Sequence, residues 1–155
     1  MKIVRAEERD REGWLAMRVA LWPECEREAS AEEITDVLEG GRQAAFLAID
    51  EEGAAIGFVE VSTRDYVEGC SSSPVGYVEG IYVRPEYRGA GVGRALIRAA
   101  EAWARERGCV EMGSDTRLDD TRSISFHEAL GFRETDRQIV FLKDVTEPPA
   151  SADAK

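Results

Sequence analysis

A strand-like run, Val78-Glu79-Gly80-Ile81-Tyr82-Val83, leads through Arg84-Pro85-Glu86-Tyr87-Arg88 into Gly89-Ala90-Gly91-Val92-Gly93 and then into a helix-patterned segment ending near Arg107. Its centre reads R-x-x-G-x-G, with Arg88, Gly91 and Gly93 in the fixed places. Glycines between a strand and a helix let the backbone approach a ligand closely, and a helix start offers unpaired N–H groups at the positive end of its dipole. A turn of this kind is a phosphate seat. The helix itself is well marked: Val92, Ala95, Leu96, Ala99, Ala100 and Trp103 fall on one stripe, Arg94, Arg98, Glu101 and Arg105 on the other, and Gly108 supplies the stop.

Two familiar nucleotide seats do not fit. No Lys follows Gly93 as a Walker loop requires, and the G-x-G-x-x-G spacing of a dinucleotide fingerprint, with its acid ending a second strand, is missing. At 155 residues the chain suits one α/β domain, and its 43% hydrophobic and 33% charged content is that of a soluble globular protein. The N-terminus lacks the apolar stretch of a signal peptide and no segment approaches a membrane span, so a cytoplasmic protein is expected. Cys25, Cys70 and Cys109 have no C-x-x-C spacing and His127 is the single histidine, which argues against a disulfide framework and against a metal site. A net charge of -11 argues against nucleic acid as a partner and suits a cationic substrate.

Taken in order, Lys2 to Arg5 reads as a strand and Asp10 to Leu21 as a helix stopped by Pro23. Ser30 and Glu33 look like a capping box opening a second helix that Gly40-Gly41 closes. Ala44 to Asp50 and Ala54 to Ser62 form a hairpin about Glu51-Glu52-Gly53, and a polar loop from Arg64 to Pro74 follows. Beyond the central helix come a strand at Cys109 to Ser114, a fourth helix at Thr121 to Leu130, and a final hairpin from Phe132 to Glu134 and Gln138 to Lys143. Trp14 and Trp103 sit on apolar helix faces and are expected in the core. Residues 1–145 form the domain and 146–155, rich in Pro, Ala and Ser, an expected disordered tail.

The V-x-x-I-x-V strand, the R-x-x-G-x-G turn and this order of elements resemble the GNAT superfamily of N-acyltransferases over about residues 1 to 145. The resemblance implies a mixed, mostly antiparallel sheet with flanking helices, in which the strand at Val78 and the strand at Cys109 splay apart. It further implies acetyl-CoA as cosubstrate, with the pantetheine arm against Ile81, Tyr82 and Val83 and the pyrophosphate held by Arg88, Gly89, Ala90, Gly91, Val92, Gly93 and Arg94. Where many members have an Asn touching the cofactor at the start of the fourth helix, this chain has Asp120. Where many have a tyrosine that protonates the departing thiolate, it has His127, an acid near neutral pH or a packed helix residue.

Amide formation needs a neutral amine, so a group must take a proton from the ammonium before attack. Glu79, on the organising strand, and Asp115, ending its neighbour, are the candidates, against the plainer readings of a surface strand acid and a turn acid. Leu21-Trp22-Pro23, Asp65-Tyr66-Val67, Glu79-Gly80-Ile81, Ser114-Asp115-Thr116 and Ala129-Leu130-Gly131-Phe132 are similar to one branch of the aminoglycoside 6'-N-acetyltransferases. That resemblance implies an acceptor site lined by Trp22, Tyr66, Glu79, Asp115 and Asp136, and a homodimer. Aromatic walls and several carboxylates suit a polyammonium sugar. The rival readings are acetylation of a polyamine or peptide amine, and a non-catalytic acyl-CoA sensor.

Overall fold

The computed structural model describes residues 1–147. Strand β1 (Lys2–Arg5) is followed by helices α1 (Arg11–Leu21) and α2 (Arg27–Glu39), strands β2 (Gln43–Ile49), β3 (Ala55–Arg64) and β4 (Val75–Val83), helix α3 (Val92–Glu106), strand β5 (Met112–Ser114) and helix α4 (Thr121–Ala129). The five strands form one sheet in chain order, antiparallel from β1 to β4 and parallel between β4 and β5. This is the mixed α/β sheet that the sequence implied.

Period-two alternation in the strands makes two cores, one on each face of the sheet. On β2, Ala44 and Ala48 join Val59, Val61, Val78 and the α3 stripe of Leu96, Ile97, Ala100 and Trp103. Ala45, Leu47 and Ile49 join Phe58, Trp14 and Met17 of α1, and Ile34 and Val37 of α2. Trp14 and Trp103 are both buried, as their helical spacing predicts.

Two features position the site. Glu60 pairs with Gly80 and Val61 with Val78, so Glu79 is the extra residue of a β-bulge in β4. Strand β5 touches β4 only from Gly76 to Val78, where Val78 meets Ser114, and beyond that point Glu79 to Val83 have no partner on the β5 side. The splay is thus a gap bounded by Glu79 on one strand and the end of β5 on the other.

Some expectations are corrected. No final hairpin forms: Phe132 to Glu134 and Gln138 to Lys143 adopt no regular strand. Ile139, Val140, Phe141 and Leu142 are apolar on both faces and 78%, 88%, 88% and 92% exposed, because β5 is a three-residue edge and nothing among the described residues covers either face. Helix α2 starts at Arg27 with Glu26 as its N-cap. Ser30 caps nothing; it lies inside the helix, buried, with its carbonyl accepting from Arg18. Strand β4 begins three residues earlier than expected, at Val75, because Val75 and Tyr77 are drawn into a small core with Val67. Of the expected tail, residues 148–155 lie outside the described residues.

Candidate active site

The turn before α3 is shaped by two glycines in the left-handed region, Gly89 at φ 80° and Gly91 at φ 84°, with open space where their side chains would be. Gly91 is the N-cap of α3, and its carbonyl accepts the first intrahelical bond, from the Ala95 N–H at 3.0 Å. The amides of Val92, Gly93 and Arg94 therefore have no intrahelical acceptor. No acidic residue stands in the first turn of α3 to compete with an anion. Gly93 has a different reason to be glycine: a Cβ there would come within 2.7 Å of the Phe126 ring, so its absence lets α4 lie against α3. Arg88 is spent locally, donating from Nε to the Val83 carbonyl at 2.8 Å while its guanidinium lies 5.6 Å from the Tyr82 ring centre. Open left-handed glycines and free amides fit a diphosphate.

On the other side of the splay, Glu79 is firmly held. Its Oε1 accepts from the Ser62 hydroxyl at 2.5 Å and from Arg64 Nε and Nη2 at 3.2 and 3.0 Å, and its Oε2 accepts from Arg64 Nη2 at 2.9 Å. The Arg64 guanidinium lies over the ring of Tyr77 at 3.6 Å. Burial pushes the Tyr77 hydroxyl well above its ordinary range, and the neighbouring Asp115 carboxylate pushes it further. Glu79, Arg64 and Tyr77 form one connected set, and the Asp115 carboxylate acts on the Tyr77 hydroxyl from the β5 side.

Trp22 stands against this set. A Cβ on Gly80 would collide with its indole, and its ring lies 6.2 Å edge-on from Phe58 and 4.7 Å from the Arg18 guanidinium carbon. Arg18 is 4% exposed, with Nη1 donating to the Ser30 carbonyl at 2.9 Å, Nη2 donating to Glu33 at 2.6 Å, and Nε standing 2.8 Å from Glu60. Glu60, also 4% exposed, takes the Trp14 indole N–H at 2.8 Å. Burial raises its carboxyl above the ordinary carboxylate range against the opposing pull of Arg18 and Trp14. A cleft of about 380 Å³ opens here, with Trp22, Glu33, Asp36, Glu60 and Glu79 in its walls.

The remaining expected residues fall around the rim. Tyr66 is 70% exposed and donates to Glu68. Asp136 is exposed and accepts from the Arg137 amide at 2.8 Å; its neighbour Thr135 lies against Gly69, in the loop that carries Tyr66. Asp120 is the side-chain cap of α4, accepting from the Ser123 amide at 2.9 Å. His127 is locked in place: Nδ1 donates to the Ser123 carbonyl at 2.7 Å, and Nε2 meets the Ser114 hydroxyl at 2.7 Å. Its ring stands edge-on to Phe126 and Phe132, at 5.7 and 5.3 Å. Since Nδ1 carries the donated hydrogen, the neutral ring accepts from Ser114.

Sequence reading missed Arg18, Glu60, Ser62, Arg64 and Tyr77. Their signal lay in alternation: along β3, Val59 and Val61 face α3, while Glu60, Ser62 and Arg64 lie on the opposite face, toward Trp14 and Glu79. Likewise Trp14, Arg18 and Trp22 recur every fourth residue on one side of α1. Among the described residues no cluster of three or more His, Cys, Asp or Glu is placed to hold a metal, and no helix is long and apolar enough to cross a membrane.

The acetyltransferase (GNAT) family profile matches residues 11–132. The chain belongs to the GNAT family of acetyltransferases. Among relatives of this GNAT chain is an aminoglycoside N(6')-acetyltransferase type 1 of Stenotrophomonas maltophilia, 44% identical over 96% of this chain and 95% of its own. The corresponding protein of Klebsiella aerogenes is 46% identical over 88% of this chain and 92% of its own. Among solved structures, AAC(6')-Iy in complex with the bisubstrate analogue CoA-S-monomethyl-acetylneamine superimposes with a TM-score of 0.89 at 40% identity, over 92% of this chain and 97% of the other. The apo enzyme AAC(6')-IG from Acinetobacter haemolyticus gives 0.89 at 38% identity, over 94% of this chain and 100% of the other.

Proposed function

We propose that this GNAT chain transfers the acetyl group of acetyl-CoA to the 6'-amino group of an aminoglycoside by direct attack in a ternary complex. The observation that carries the reading is identity of 38–46% to relatives named for that activity, extending over most of the chain. The acid-walled, aromatic-sided cleft beside the splay supports it. The amides at Gly89 to Arg94 hold the diphosphate, with Arg88 bracing the turn, and the free edge of β4 at Ile81 to Val83 receives the pantetheine arm. An amide near Ile81 polarises the thioester carbonyl. The carboxylates of Glu79 and Asp115 receive the proton from the amine, directly or through water, and His127 in its imidazolium form, donating from Nε2 through the Ser114 hydroxyl, stands as the acid for the departing thiolate. Trp22, Tyr66 and Asp136 line the sugar. As resistance chemistry the reaction belongs in the cytoplasm.

Release of free CoA, followed side by side with tobramycin, spermidine and a lysine peptide, tests the reading. Turnover with tobramycin far above the other two is expected. Preference for spermidine or the peptide transfers the activity to another amine, and cofactor binding without turnover of any amine makes the chain a sensor. The turn has its own test. A side chain at φ 84° is strained by about 1–3 kcal/mol. Gly91→Val is therefore expected to weaken CoA binding about tenfold in calorimetry, since ~1.4 kcal/mol is one decade.

The chain acts as a homodimer. Among the described residues the outer edge of β5 and the exposed run Ile139 to Leu142 are both unpartnered, and a second copy offers a surface that covers them. Sedimentation of the wild type is expected to give a dimer and Phe141→Asp a monomer. A wild-type monomer overturns this.

A further inference from the structure

The acids that draw a polycation to the cleft create a difficulty for the chemistry. A carboxylate beside an ammonium stabilises the ammonium, whereas attack on a thioester needs the lone pair of the neutral amine. The structure contains a counterweight. Arg64 ends β3 on the same side as Glu60 and Ser62, binds both oxygens of Glu79, and sits over the ring of Tyr77 at 3.6 Å, a ring that is 7% exposed and has Asp115 acting on its hydroxyl. Its neighbour pair Arg42 and Asp65 shows what a plain surface ion pair looks like here: 58% and 82% exposed, with no aromatic platform. Arg64 is instead clamped between a carboxylate and a buried ring, which fixes a permanent, planar charge beside Glu79.

We propose that Arg64 is a positioning residue for the acceptor amine: it aims Glu79 into the splay and, as a fixed cation beside the reacting nitrogen, favours the neutral amine over the ammonium. The inference rests on the splay being the acceptor site, as argued above. With Oε1 filled by Ser62 and Arg64, Oε2 is left with a single donor and faces the proton to be removed. The amine nitrogen then forms its bond to the acyl carbon as the carbon–sulfur bond breaks, the amine's proton passing to Glu79 or water and the thiolate gaining one from His127 or water. The charged and titratable groups facing Arg64 are Glu79 and Tyr77 on β4, Asp115 through Tyr77, and the Arg42–Asp65 pair at its own strand end; Glu60, two pairs down β3, is held by Arg18.

The test is the pH dependence of kcat and KM for tobramycin in wild type, Arg64→Gln and Arg64→Lys, with CoA binding by calorimetry as the check on folding. In Arg64→Gln the rising limb of kcat is expected to move about one unit to higher pH, so that kcat near neutrality falls about tenfold. KM is expected to fall as well, because Glu79 is freed for the ammonium. Arg64→Lys keeps the charge and is expected to keep the limb where the wild type has it. An Arg64→Gln limb that coincides with the wild type overturns the proposal, and so does an Arg64→Lys limb displaced as far as that of Gln. Failure of the acceptor-site reading shows separately, as wild-type kinetics in both Glu79→Gln and Asp115→Asn.

Discussion

Glu60→Ala is expected to lower the free energy of unfolding by about 3–5 kcal/mol, the range for removing one partner of a buried ion pair. The carboxylate is 4% exposed and serves two buried donors from α1, the Trp14 indole at 2.8 Å and the Arg18 guanidinium. Its loss strands both. Arg18, itself 4% exposed, would keep only the Ser30 carbonyl and Glu33, whose side chain is 57% exposed. Glu33→Ala removes the solvated partner, and its cost should stay near ~1 kcal/mol or below. The contrast isolates burial as the cause. The double replacement Arg18→Met with Glu60→Leu should recover most of the lost stability, because the cost belongs to an uncompensated charge and not to the absence of the pair. Urea denaturation of the three variants beside the wild type decides the matter; equal losses for Glu60→Ala and Glu33→Ala would show that Arg18 does not depend on the buried partner. The same pair carries Trp22, whose ring lies over Arg18, so the double variant should raise KM for the aminoglycoside while CoA binding holds.

The readability of these residues in the sequence follows the range of the forces that place them. The turn at Gly89 to Gly93 and the stripe of α3 are local: spacing and glycine conformation alone place them, and both the positive φ of Gly91 and the buried face of Leu96 and Trp103 follow. The splay was accessible only through the family resemblance, since no local pattern says where β4 and β5 part. The bulge that aims Glu79 depends on a register shift between two strands, and no single-strand pattern carries it. Arg18 carries no local signal of its burial, because its partner lies 42 residues away on β3. The last expected hairpin failed for the opposite reason. Ile139 to Leu142 have strand character but pack against no face of the described residues, and strand propensity expresses a pleated surface to pack against more than a backbone preference.

Glu79→Gln is expected to lower kcat/KM for tobramycin about a hundredfold, the low end of what a positioned proton acceptor contributes. The argument starts from the oxygens. Oε1 has three donors on it, from Ser62 and Arg64, and cannot readily take a fourth. Oε2 has one, the Arg64 Nη2 at 2.9 Å, and is the atom with capacity left. Gln keeps the volume but cannot accept the proton, and its amide must turn either its NH2 toward the Arg64 guanidinium, donor against donor, or its oxygen there and its NH2 toward the incoming ammonium. Both orientations weaken acceptor binding and remove the base, so kcat and KM should both suffer, while CoA affinity, set by the turn before α3, should not change. Asp115→Asn discriminates between the two acids. It follows the end of β5 and acts on the Tyr77 hydroxyl, whereas Glu79 is aimed by Ser62 and Arg64, so a smaller loss is expected. A larger loss in Asp115→Asn than in Glu79→Gln would move the proton acceptor to the far side of the splay and leave Glu79 as an anchor for the ammonium.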